Sequence, residues 1–355
     1  MGVRDLDFNA FEFPDSYTIT RYSSRGTPFL KNVRAGMPKI PTNSTDIVFF
    51  LYRNCDPLPI DLAARKKLGG GTGFYVSVEY PSGRRYYYGV TNAHIACDYP
   101  CLRVNMENGE LDCIGLDNSD WMSHPTYDIA ITEKPLPLSE DVHNIVSIGH
   151  DTFVTQEKID EWEIGLGEEV FMMGRFVDGF DKAVNVPVAR FGNISADLVP
   201  TVHKYRKTTA NSYLVDMHSR GGFSGSPVFA YRLPGGNMAQ TYREKEIELG
   251  NLFFALLGIH WGQFDEMWES SHPGEPPVTG YSGMTLVDPA MGILELLNMP
   301  KIKETREKLE KAACAQDIEN RVSTIRLESS GPEVSGDDIL KAALNMPPKP
   351  HKGVG

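Results

Sequence analysis

Gly221-Gly222-Phe223-Ser224-Gly225-Ser226-Pro227-Val228-Phe229 sets a serine among glycines at the mouth of an apolar run. Glycine neighbours let the backbone turn sharply and let a carbonyl approach the N–H groups closely, as a nucleophilic hydroxyl requires. The same letters suit an ordinary β-turn rich in Gly and Ser, so the rest of the chain decides between the two. Upstream, Thr91-Asn92-Ala93-His94-Ile95-Ala96 follows an apolar strand, and Asp128-Ile129-Ala130-Ile131 places an acid at the entrance to another. In the order His, Asp, Ser these segments supply a base, an acid that orients it and a hydroxyl to be activated.

Outward from the trio the chain reads as β-structure. Asp46 to Tyr52 (DIVFFLY) is the first strand, and Phe74, Val76 and Val78 alternate with Tyr75, Ser77 and Glu79 before a Pro81-Ser82-Gly83 turn. Arg85 to Val90 returns as the hairpin partner and leads to His94, at the edge of a sheet. Further short strands are predicted at Leu102–Val104, Asp128–Thr132, Glu169–Met173, Val188–Phe191, Ser212–Met217, Pro227–Tyr231, Phe253–Ile259 and Gly283–Val287. This density fits a sandwich or barrel better than alternating βα units. Helix is predicted late, over Ala290–Leu297 after Asp288-Pro289 and over Lys301–Ala313, with Pro300 between. Residues 1–45 read as an N-terminal extension, 299–316 as helix, and 317–355 as a flexible tail with a short amphipathic helix at Asp337–Asn345.

Composition narrows the function. The 355 residues carry a net charge of -12, and Arg65-Lys66-Lys67 is the longest basic run, so nucleic acid is not an expected partner. Met1 to Tyr17 is charged without an apolar run, and no stretch approaches the ~18 apolar residues of a membrane span. A cytoplasmic chain with no membrane partner is expected, unless a signal has already been removed. Gly69-Gly70-Gly71-Thr72-Gly73 lacks the Gly-Lys-Ser/Thr ending of a phosphate loop and reads as the entry to the first hairpin. The five cysteines, Cys55, Cys97, Cys101, Cys113 and Cys314, form no regular disulfide framework. Free buried thiols are expected, a metal site at Cys97, Cys101 and Cys113 being the weaker alternative, and no cofactor or metal is called for.

The Thr-Asn-Ala-His, Asp-Ile-Ala-Ile and Gly-x-Ser-Gly-Ser-Pro segments, in that order, resemble the chymotrypsin-like (trypsin-fold) serine peptidases over residues 46–298. The resemblance implies an all-β fold of two antiparallel six-stranded β-barrels, at about 46–150 and 160–298, followed by C-terminal helices. It implies catalytic roles for His94, Asp128 and Ser224 and an oxyanion hole at the N–H groups of Gly222 and Ser224. Gly258-Ile259-His260-Trp261-Gly262 is similar to a segment of secreted bacterial glutamyl endopeptidases. By that likeness His260 and Ser219 bind an acidic side chain beside Trp261 and Gly262, with His218 the alternative pocket floor. Those relatives use a free mature N-terminus near the pocket, which residues 1–45 do not match, and the stretch between Tyr231 and Leu252 is an insertion. Trypsin-like zymogens carry an aspartate where this chain has Phe223, which cannot capture an ammonium. The implied function is a serine endopeptidase acting on a protein or peptide substrate; the long arm and tail, with no signal peptide before them, add the expectation of a regulatory protein partner. The competing reading is a silent trypsin-fold scaffold or peptide-binding protein.

Overall fold

Val48–Tyr52 is apolar along its whole length, and all five residues are buried, so it lies inside a sheet covered on both faces. The computed structural model describes residues 17–22, 28–33, 40, 42–57, 59, 61, 68–176, 184–203, 206–232, 253–269 and 277–328. Two units are distinguished, the larger comprising Asn43–Arg232 and Leu252–Pro348. In the smaller, β1 (Tyr17–Tyr22) and β2 (Pro28–Val33) pair antiparallel with Tyr17 opposite Val33. The expected N-terminal extension therefore contains a hairpin.

In the larger unit the first sheet contains β3 (Val48–Tyr52), β4 (Gly71–Glu79), β5 (Arg85–Thr91), β6 (Cys101–Asn105), β7 (Leu111–Gly115), β8 (Trp121–Ser123) and β9 (Ala130–Thr132). Their order is β7-β6-β3-β4-β5-β9-β8, and β10 (Ile148–Gly149) joins as an eighth strand parallel to β4. This differs from the expected six-stranded barrel. Residues of β7 are exposed or half-buried and β8 has only three residues, so neither edge offers a long buried ladder on which to close. The alternation predicted for the first hairpin also gives way, because Gly71–Ser77 is buried on both faces. Phe49, Leu51, Tyr75, Ile95, Leu102, Val104 and Trp121 form the core of this half, each contributing about 1.5–3 kcal/mol by leaving water.

The second half is a closed six-stranded barrel: β11 (Glu169–Gly174), β12 (Val188–Val202), β13 (Thr209–Asp216), β14 (Pro227–Arg232), β15 (Phe253–Trp268) and β16 (Val278–Pro289), in the order β11-β12-β13-β16-β15-β14. Val170, Met172, Val215, Phe223, Val228, Leu257 and Val287 fill it. The two halves are tied by Arg175, fully buried just after β11. Its Nη1 donates to Gly69 O at 2.8 Å, its Nε donates to Tyr52 Oη at 3.2 Å, and its guanidinium lies 4.5 Å from the Tyr52 ring centre.

Four α-helices complete the described unit: α1 (Ala93–Asp98), α2 (Gln156–Trp162), α3 (Met291–Leu297) and α4 (Pro300–Glu328). Helix α4 runs well past residue 316, which corrects the expectation that a flexible tail begins at 317. Arg84, in the turn just before β5, holds the extended part. It donates to Ala313 O at 3.2 Å, lies 3.6 Å from Glu310 and pairs with Asp317, while Tyr86 Oη donates to Glu310 at 2.9 Å. Tertiary contacts thus override a composition that reads as tail. Asp337–Asn345 and most of the stretch between Tyr231 and Leu252 lie outside the described residues. Among the described residues no helix is long and apolar enough to cross a membrane.

The cysteines also depart from expectation. Cys55 and Cys101 form a disulfide, Cys97 and Cys113 are exposed, and Cys314 is half-buried. The reason is topological. β3 pairs with β6, placing Tyr52 opposite Cys101 and so bringing the turn that carries Cys55 onto it.

Candidate active site

Strand β5 ends at Thr91, and the chain turns through Asn92 into α1, so His94 sits in the first turn of a short helix and not at a strand edge as expected. Asp128 lies in the connection from β8 to β9 and is fully buried. Its backbone carbonyl accepts from Asn92 Nδ2 at 2.8 Å and Ala93 N at 3.3 Å, and its Oδ1 accepts from His94 N at 3.2 Å. Asp128 Oδ2 stands 2.5 Å from His94 Nδ1. A carboxylate only accepts, so the proton resides on Nδ1 and Nε2 is left as the basic nitrogen. The His94 side chain keeps 13% exposure against 1% for Asp128, which is the arrangement of a reachable base with a shielded partner.

The serine turn is built by glycines. Phe223 N donates to Arg220 O at 3.3 Å, and Gly222 has φ +96° at the third position, the mark of a type II turn. The N–H groups of Gly222 and Ser224 have no acceptor among the described residues. Gly225 has φ +86°, and a Cβ there would lie 1.9 Å from Thr72 O. Phe223 is fully buried in the core of the second barrel and anchors the turn by apolar packing. The half-buried Ser224 is thereby held at the junction of the halves.

Thr72 is the junction residue. Its N–H donates to Ser224 O at 2.8 Å, its Oγ1 donates to Gly222 O at 2.7 Å and accepts from Arg175 N at 2.9 Å, and its carbonyl accepts from Thr91 Oγ1 at 2.7 Å. One fully buried threonine therefore joins the serine turn to the strand that leads to His94. Its one signal in the sequence is a hydroxyl inside the glycine run 69–73.

The predicted pocket residues separate. Backbone bonds place His260 against the serine turn, with Gly225 N donating to His260 O and His260 N donating to Ser226 O, both at 2.9 Å. Ser219 Oγ and His260 Nε2 are 2.7 Å apart, and His260 Nδ1 lies 3.3 Å from Leu286 O. Because a carbonyl only accepts, Nδ1 carries the proton of the neutral ring and Ser219 donates to Nε2. Burial pushes the His260 pKa down to about 4, with the neighbouring His94 adding to the same direction. Gly262 is open, since a Cβ would meet only Leu286 at 3.9 Å. Trp261 is not pocket lining: it is buried, stacks on His203 with ring centres 4.0 Å apart, and donates to Ser212 Oγ at 3.2 Å. His218 is exposed beside Gly283 and does not form the floor.

Among the described residues one group of three or more metal-ligating side chains lies close together, Cys55, Cys101 and Cys113, with sulfurs within 4.8 Å of one another. Two of these are the disulfide, and Cys97 is not in the group, which corrects the weaker cysteine alternative.

No family model matches the sequence, and no curated protein matches it. Among solved structures, the chain is similar to the MamO protease domain from Magnetospirillum magneticum in its apo form, at 15% identity and TM-score 0.40, covering 72% of this chain and 98% of that one. It is similar to the HtrA-type protease AlgW with decapeptide at 16% identity and TM-score 0.40, over 74% of this chain and 66% of that one. For AlgW with tripeptide the values are 14% and 0.37, over 72% and 62%. None of these three is a glutamyl endopeptidase.

Proposed function

We propose that the chain is a serine endopeptidase that forms an acyl-enzyme on Ser224. The observation that carries this reading is the 2.5 Å contact of His94 Nδ1 with the buried Asp128 carboxylate, beside a serine turn locked by Thr72 to the same half. His94 Nε2 takes the Ser224 proton as Oγ adds to the scissile carbonyl, and the N–H groups of Gly222 and Ser224 receive the developing oxyanion. His94 then protonates the leaving amine, and water repeats the sequence to release the acyl group. Asp128 fixes the tautomer and stabilises the imidazolium. Ser219 and His260 take the side chain before the cut, with an acidic residue preferred. Control by a protein partner belongs to the same proposal, because Phe223 cannot serve the ammonium-capture switch.

A peptide library digested by wild type and by Ser224→Ala tests this reading. Cleavage after Glu or Asp by wild type alone is expected. Enrichment of Arg or Leu before the cut would discard the pocket roles, equal cleavage by Ser224→Ala would discard the serine mechanism, and free digestion of casein by the chain alone would discard partner control.

A further inference from the structure

Asp288, near the end of β16, is fully buried and sits behind Asp128. Its Oδ2 accepts the Asp128 N–H at 2.8 Å. Its Oδ1 accepts from Ser212 Oγ at 2.9 Å and lies 3.2 Å from His203 Nε2. His203 is itself buried and stacked on Trp261, and Trp261 donates to the same Ser212 hydroxyl, which also lies 2.8 Å from Thr201 Oγ1. Residues of four neighbouring stretches, the ends of β12 and β16 with β13 and β15, thus converge on one carboxylate whose free oxygen grips the backbone of Asp128.

Satisfying a single N–H does not call for a carboxylate; a backbone carbonyl or a hydroxyl would do so without the desolvation cost of a buried acid. A carboxylate differs in offering two acceptor oxygens in one plane. Hydrogen-bonded through Oδ1 to Ser212 and within ion-pair distance of His203, it presents Oδ2 in a fixed place. The Asp128 side chain begins two bonds from the nitrogen so held, and its two oxygens contact His94 N and Nδ1. We propose that Asp288, clamped by His203 and Ser212, is a positioning residue that sets the backbone of Asp128 and through it the orientation of His94. The inference rests on the serine-peptidase reading for its catalytic consequence, but the contact itself can be read without turnover.

The test compares Asp288→Ala, Asp288→Asn and His203→Phe in the full chain. Asparagine keeps an acceptor for the Asp128 N–H, and its NH₂ can donate to Ser212; phenylalanine keeps the stacking on Trp261 but removes the imidazole beside Asp288. Asp288→Ala is expected to lower kcat about 100-fold with KM nearly unchanged, the scale of a small misplacement at the reacting groups. Asp288→Asn should stay within about threefold of wild type, and His203→Phe should fall between the two. In parallel, the low-field proton resonance of His94 Nδ1 should weaken or shift in the Ala and Phe variants and persist in the Asn variant. If Asp288→Ala fails to fold, His203→Phe decides alone. An unchanged Nδ1 resonance in His203→Phe and in any folded Asp288→Ala would overturn the proposal, as would an Asn variant as impaired as the Ala variant. A wild type that neither cleaves nor labels would refute the peptidase reading, whereas the resonance would still report whether Asp288 positions His94.

Discussion

Replacing Thr72 by valine keeps the volume of a fully buried side chain and removes one hydroxyl. That hydroxyl donates to Gly222 O at 2.7 Å and accepts from Arg175 N at 2.9 Å, so the change leaves a buried acceptor and a buried donor without partners. At about 1–3 kcal/mol for each unsatisfied group, the expected loss is about 2–6 kcal/mol of stability. Because the proposed mechanism makes Gly222 one of the two oxyanion donors, loosening it should lower kcat by about 100-fold, the lower end of the range for a lost oxyanion donor. Thr72→Ser keeps the hydroxyl and should restore most of both quantities. Urea unfolding reads the first effect through the midpoint at constant slope, and turnover of an activated ester reads the second with KM held as control. A Thr72→Val protein with the midpoint and kcat of Thr72→Ser would refute the role given to this junction.

Four other outcomes follow from the same structure. His260 has a folded pKa of about 4 against 6.5 unfolded, so its contribution to stability is present above about 6.5 and lost as pH falls through about 4, amounting to about 3 kcal/mol; acid unfolding that His260→Gln does not change would contradict this. A substrate carboxylate must bring a proton onto that ring, so selectivity for Glu over Gln before the cut should rise as pH falls, by up to about tenfold per unit, and a flat profile between pH 6 and 8 would exclude His260 from the pocket. Gly225→Ala should fail to assemble the serine turn, because the new Cβ would lie 1.9 Å from Thr72 O at φ +86°; a folded, fully active variant would show the turn to be misplaced. Cys55→Ser opens a cross-link spanning 46 residues and should cost about 4 kcal/mol on the chain-entropy model, read as a lower unfolding midpoint with unchanged labelling of Ser224.

What was legible in the chain was local. The glycines around Ser224, the apolar strand before His94 and the acid before Ile129 are neighbours in sequence, and their chemistry could be read from residue type and order. Residues that act across the fold were not legible. Asp288, next to Pro289, reads as the start of a helix, yet its carboxylate turns inward because β13 and β16 place it beside Ser212. Thr72 looks like one more small residue in a glycine run until the serine turn packs against it. Trp261 shares a motif with His260 but is the extra residue of a β-bulge between His260 and Gly262, and its ring joins the buried network on His203 and Ser212. The pairing of Cys55 with Cys101 depends on β3 meeting β6, and the length of α4 depends on Arg84 reaching Asp317. The six-residue helix carrying His94 is too short to leave a periodic signal.

The proposed reaction requires a nucleophilic Ser224 activated by His94. Intact-mass analysis after exposure to a fluorophosphonate tests it directly: the wild type should gain one adduct, mapped to Ser224, while Ser224→Ala gains none and Asp128→Asn reacts orders of magnitude more slowly. An unmodified wild type, or an adduct of equal yield in Ser224→Ala, would contradict it.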